Sequence, residues 1–77
     1  MNAADQTLDT KGFNCPVPIL RAKKAMNALA AGQTLEILAT DPGAVKDFQA
    51  YSRMTGHELV EWSEEKGVFR FLFRKAS

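Results

Sequence analysis

The chain has 77 residues, ten Lys and Arg against nine Asp and Glu, a net charge of +1, and 45% hydrophobic residues with seven aromatics among them. That length accommodates one core, so a single domain over residues 1–77 is expected, and the apolar share argues against general disorder. The near-zero charge excludes a broad nucleic-acid-binding field, while one Cys and one His exclude an intrachain disulfide and a tetrahedral zinc site.

The segment Met1 to Thr7 is polar and lacks the apolar run of a signal peptide, and no stretch reaches transmembrane length. A free cysteine fits a reducing compartment, so a cytoplasmic protein without membrane contact is expected. Residues 1–6 are expected to be disordered. Thr7-Leu8-Asp9-Thr10 reads as a short first strand, followed by a loop over Lys11 to Asn14 in which Gly12 is free to take a positive φ. From Pro16 a helix is predicted to about Ala30, because Ile19, Ala22, Met26 and Leu29 recur at the spacing of a buried stripe and Gly32 follows as a stop.

Leu35, Ile37 and Ala39 alternate with Glu36, Leu38 and Thr40, which is a strand signal. Asp41-Pro42 predicts the start of a second helix, with Asp41 as N-cap and Pro42 at N1. Ala44, Val45, Phe48, Tyr51, Ser52 and Thr55 would share its inner face, and Gly56 suits its C-terminal cap. A third strand is expected over about His57 to Ser63 and a hairpin turn at Glu64-Glu65-Lys66-Gly67. The last strand sets Phe69, Phe71 and Phe73 against Arg70, Leu72 and Arg74. The order βαβαββ predicts an α+β fold: a two-layer α/β sandwich whose mixed four-stranded sheet carries both helices on one face. Strands one and two should run parallel and the last pair antiparallel.

The only cysteine lies in Cys15-Pro16-Val17-Pro18, with two of the three prolines beside it. Prolines are tolerated in a helix's first turn, and a thiol there meets the positive end of the helix dipole, which favours the reactive thiolate. With Cys15 as N-cap and prolines at N1 and N3, Val17 N–H would be the donor left for the sulfur. A lone cysteine also serves as a small buried hydrophobe. The loop-to-helix junction and the flanking prolines favour the reactive role. Asp9 is expected to orient the loop by accepting from its backbone.

With the buried stripe inward, Val17, Leu20, Arg21 and Lys24 fall together on the outer helix face, beside Cys15. That strip reads either as a docking surface whose cations favour an anionic sulfur, or as a solvated face with two exposed aliphatics. His57 directly follows the Gly56 cap, and nothing in the spacing brings it to Cys15, so a capping-region role is expected for it rather than a Cys–His dyad. Arg70, Arg74 and Lys75 form a small basic edge, expected to be solvated rather than bound to phosphate.

Together these residues resemble the TusA family of small sulfurtransferases, also called SirA-like or YedF-like. The resemblance covers nearly the whole chain: Leu8-Asp9-x-x-Gly12-x-x-Cys15-Pro16-x-Pro18, Lys23-Lys24, Asp41-Pro42, Asp47-Phe48 and Gly56-His57-Glu58-Leu59. It implies the same βαβαββ fold. It also implies that Cys15 takes sulfane sulfur from a donor, such as a cysteine desulfurase or a rhodanese-type protein, holds it as a persulfide, and relays it to an acceptor protein. The implied destination is tRNA 2-thiouridine synthesis, with sulfur oxidation and molybdenum cofactor assembly as alternatives, and neither cofactor nor metal is required. Some relatives carry a second cysteine where Ser52 stands here. Two other classes stay open, a thiol-based redox or regulatory module and a pure interaction module using the Val17, Leu20, Arg21 and Lys24 face.

Overall fold

The structure, a computed structural model, describes residues 4–14 and 16–76. The elements are β1 (Gln6–Thr10), α1 (Val17–Asn27), β2 (Thr34–Ala39), α2 (Ala44–Thr55), β3 (Glu58–Glu65) and β4 (Val68–Arg74). They form one four-stranded sheet in the order β1-β2-β4-β3, with β1 and β2 parallel and the other neighbours antiparallel. This is the expected mixed sheet with two helices, in βαβαββ order.

Alternation decides which face of the sheet is covered. Leu35, Ile37 and Ala39 pair in register with Phe73, Phe71 and Phe69, and all six point to the helices. Ala22 and Met26 of α1 and Ala44 and Phe48 of α2 press onto them and are fully or almost fully buried. Phe48 sits over the strand aromatics, with ring centroids 4.8 Å from Phe71 and 5.8 Å from Phe73. The opposite face is open and carries a charged row. Arg70 binds Glu36 through its Nε and lies 3.5 Å from Glu61, and Arg74 lies 3.1 Å from Glu58. The hydrogen bond to Glu36 holds the Arg70 guanidinium proton more tightly than usual.

Several boundaries differ from expectation. Of the segment 1–6, Gln6 already opens β1, and Asp5 exchanges bonds with Thr34: its amide donates to Thr34 Oγ1 at 3.1 Å, and the Thr34 amide donates to Asp5 Oδ2 at 2.9 Å. Residues 1–3 lie outside the described residues. Helix α1 ends at Asn27 because the Ala28 and Leu29 amides reach back only three residues, to Ala25 and Met26. Asp41 is not the N-cap of α2. Its Oδ1 accepts from the Gly43 amide at 3.1 Å, its carbonyl accepts from Ala44, and Gly43 stands at the cap. Thr55 is exposed rather than inward, its hydroxyl donating to the Tyr51 carbonyl. The hairpin between β3 and β4 tightens to Lys66-Gly67, both at positive φ (53° and 81°), as a two-residue turn requires.

Tyr51, the only tyrosine, gives the fold a pH signature. Burial raises its phenol above the ordinary value of 10.0. The folded state therefore holds that proton more tightly than the unfolded chain. The resulting stability is complete below pH 10 and is lost as pH climbs through the raised value. Urea unfolding between about pH 8 and about pH 11 should show a steeper alkaline loss in wild type than in Tyr51→Phe. Equal slopes would contradict this assignment.

Candidate functional site

The site is a loop carried from the end of β1 to the start of α1 and pinned at Lys11, Gly12 and Phe13. Thr10 is fully buried and donates its hydroxyl to the Leu38 carbonyl at 2.6 Å, which fixes the strand end. Asp9 Oδ1 accepts from the Lys11 amide at 2.9 Å, an Asx turn, and Lys11 Nζ lies 3.8 Å from Oδ2. Gly12 takes φ +87°, a region costly for any residue with a Cβ, and its amide donates to Thr40 Oγ1 at 2.9 Å. The Phe13 amide donates to the Thr10 carbonyl at 3.2 Å. The loop is exposed, yet the Lys11, Gly12 and Phe13 amides are satisfied by the end of β1 and by Thr40, just past β2.

Cys15 lies outside the described residues. Its neighbours place the helix start one residue later than expected. Pro16 is the N-cap, Val17 stands at N1 and Pro18 at N2. The Val17 amide donates to the Asn14 carbonyl at 2.9 Å, and its expected bond to the Cys15 sulfur lies outside the described residues. Pro16 is exposed and Pro18 is buried, so the second proline anchors the turn to the core. No acidic residue stands in the first turn of α1. The helix dipole there is positive, and nothing in that turn opposes an anion.

On the outer face of α1, Leu20 is 55% exposed, Arg21 and Lys24 are exposed, and Val17 is half-buried. The structure adds a residue that the sequence reading did not single out. Phe13 reaches across from the loop, with the Arg21 guanidinium carbon 4.7 Å from its ring centroid. An aromatic two residues before the cysteine is visible in the sequence, but its partner on the helix is not. On the other side, a groove of about 350 Å³ separates the helices, lined by Pro16, Ile19 and Lys23 of the α1 side and Asp47, Tyr51 and Met54 of α2.

The remaining candidates are structural in their contacts. His57 accepts from the Ala76 amide through Nδ1 at 3.0 Å and packs 5.8 Å from the Tyr51 ring, fastening the end of β4 to the end of α2. Ser52 donates its hydroxyl to the His57 carbonyl at 2.6 Å. The expected basic edge is not a free cationic edge, because Arg70 and Arg74 face glutamates across the sheet and Lys75 Nζ donates to the Leu29 carbonyl at 2.6 Å. Among the described residues no group of three His, Cys, Asp or Glu could hold a metal ion, and no helix is long and apolar enough to cross a membrane.

Residues 6–75 match the family described as Sulfurtransferase TusA. The chain is 58% identical over 72 residues to the sulfur carrier protein TusA of Allochromatium vinosum, covering 94% of this chain and 95% of that one. It is 49% identical to the putative sulfur carrier protein YrkI of Bacillus subtilis, covering 94% and 96%. Among solved structures, the SirA-like protein from Desulfitobacterium hafniense superposes with a TM-score of 0.82 at 27% identity, over 94% of this chain and 99% of that chain. A family match over almost the whole length, joined to this fold and to a pinned loop ahead of a proline-started helix, places the chain in the TusA family of sulfurtransferases.

Proposed function

We propose that the protein is a sulfur carrier in which Cys15 accepts sulfane sulfur as a persulfide and relays it to an acceptor protein. The observation that carries this reading is the 58% identity, over almost the full length of both chains, to a protein named as a sulfur carrier. The chemistry needs little else. The Cys15 thiolate attacks the outer sulfur of a donor persulfide, the donor's S–S bond breaks, and the donor leaves as a thiolate. An acceptor thiolate then attacks the same outer sulfur on Cys15 and regenerates the Cys15 thiolate. Each transfer exchanges one S–S bond for another, so no oxidant, reductant or cofactor enters. A positive helix start without an opposing acid suits the anionic sulfur at both stages.

The donor is a cysteine desulfurase or a rhodanese-type protein, docking over Val17, Leu20, Arg21 and Lys24, and the end point is tRNA 2-thiouridine in the cytoplasm. The RNA is reached through an acceptor protein, since the arginines of β4 are engaged by Glu36, Glu61 and Glu58. Incubation with a cysteine desulfurase and cysteine, and separately with a rhodanese and thiosulfate, should add the mass of one sulfur atom that a reductant removes. Leu20→Glu should slow that loading at limiting donor without lowering the melting temperature. No adduct with either donor would refute the reading, and normal loading of Leu20→Glu would remove the docking face from it.

A further inference from the structure

Phe13 is 40% exposed and is not among the core residues. Its backbone leaves it little choice of direction. Gly12 ahead of it is fixed at φ +87° with its amide on Thr40, and the Phe13 amide is bonded to Thr10. The ring meets the Arg21 guanidinium, one helical turn beyond Val17. The pair thus bridges the loop that precedes position 15 and the helix that follows it. A solvent-exposed arginine otherwise samples many rotamers, and the face of an aromatic ring selects among them.

We propose that Phe13 is a positioning residue: it holds the Arg21 guanidinium against the loop, so that a fixed cation stands beside the segment that carries the anionic sulfur. This rests on the sulfur-carrier reading above. The other charges around the segment are arranged differently. Asp9 and Lys11 face each other within the loop, Lys23 and Asp47 line the groove on the far side of Pro16, and Lys24 lies further along the outer face. Arg21 is the cation seated on a ring that the loop itself supplies.

The test is the rate of Cys15 alkylation by iodoacetamide against pH, with melting temperature recorded for each variant. Phe13→Leu keeps an apolar side chain but loses the ring, and Arg21→Gln loses the charge. Each should move the midpoint of the profile upward and slow alkylation at neutral pH by roughly two- to threefold, as release of one nearby exposed cation would. Phe13→Tyr should restore the wild-type profile, and Phe13→Leu combined with Arg21→Gln should behave as Arg21→Gln alone. An unmoved midpoint in Phe13→Leu, failure of tyrosine to rescue, or additive shifts in the double variant would overturn the proposal. Alkylation requires no sulfur donor, so a lost sulfur adduct with an intact Phe13 effect refutes the carrier reading, and the converse result refutes only the positioning role.

Discussion

Replacing Cys15 with serine is expected to abolish sulfur loading entirely while leaving the melting temperature at its wild-type value. A serine hydroxyl cannot hold a sulfane sulfur, and its proton is far harder to remove than a thiol's. The fold should not register the change, because bonds between other residues hold the described part of the loop. Asp9 holds Lys11, Thr40 holds Gly12, Thr10 holds Phe13, and Asn14 holds Val17. Intact-mass analysis after donor incubation, with a thermal melt alongside, checks both halves. The same variant separates the competing classes. An interaction module would keep its cellular role in Cys15→Ala and lose it in Leu20→Glu, whereas a carrier loses it in the cysteine variant. A redox sensor would accumulate a sulfenic acid or an intermolecular disulfide at low peroxide.

Phe48→Ala should be the most damaging substitution in the core. Its ring is completely buried and is wedged between α2 and the sheet, in contact with Phe71 and Phe73. Truncating such a residue costs about 3–5 kcal/mol, the transfer term plus the cavity left behind. A chain of 77 residues has a total stability on the order of 4–12 kcal/mol, so the loss removes a large fraction of it. Leu20→Ala, at 55% exposure, should stay within about 0.5 kcal/mol of wild type. Urea unfolding of the three proteins measures the contrast. A Phe48→Ala loss below about 1 kcal/mol would mean that the two layers repack around the gap.

The core was legible because its signals are periodic. Leu35, Ile37 and Ala39, and Ala22, Met26 and Leu29, are all buried as their spacing demands. The helix starts were less legible, because the chemistry of an Asx residue is the same in a turn as at an N-cap. Asp41 accepts from an amide two residues on, as a cap would, but does so in the turn that precedes α2. At the candidate site, the local features could be read directly: the positive φ of Gly12 and the Asp9 bond to Lys11 involve near neighbours. The contacts that cross between elements could not. Thr40 reaches Gly12 from 28 positions away, Phe13 finds Arg21 on the next helix, and Glu36 meets Arg70 only once the order β1-β2-β4-β3 is known. The carbonyl partner of Val17 N–H was not read from the sequence either. A backbone carbonyl one turn back, on Asn14, accepts from that amide at 2.9 Å.

The central claim is that the single thiol of this chain carries one transferable sulfur, and cyanolysis measures it directly. Protein loaded by a desulfurase or rhodanese, freed of donor and treated with cyanide, gives up its outer sulfur as thiocyanate and recovers the thiolate. One equivalent of thiocyanate per chain from wild type and none from Cys15→Ser is the predicted result. No thiocyanate from wild type, or an equal yield from Cys15→Ser, would contradict it.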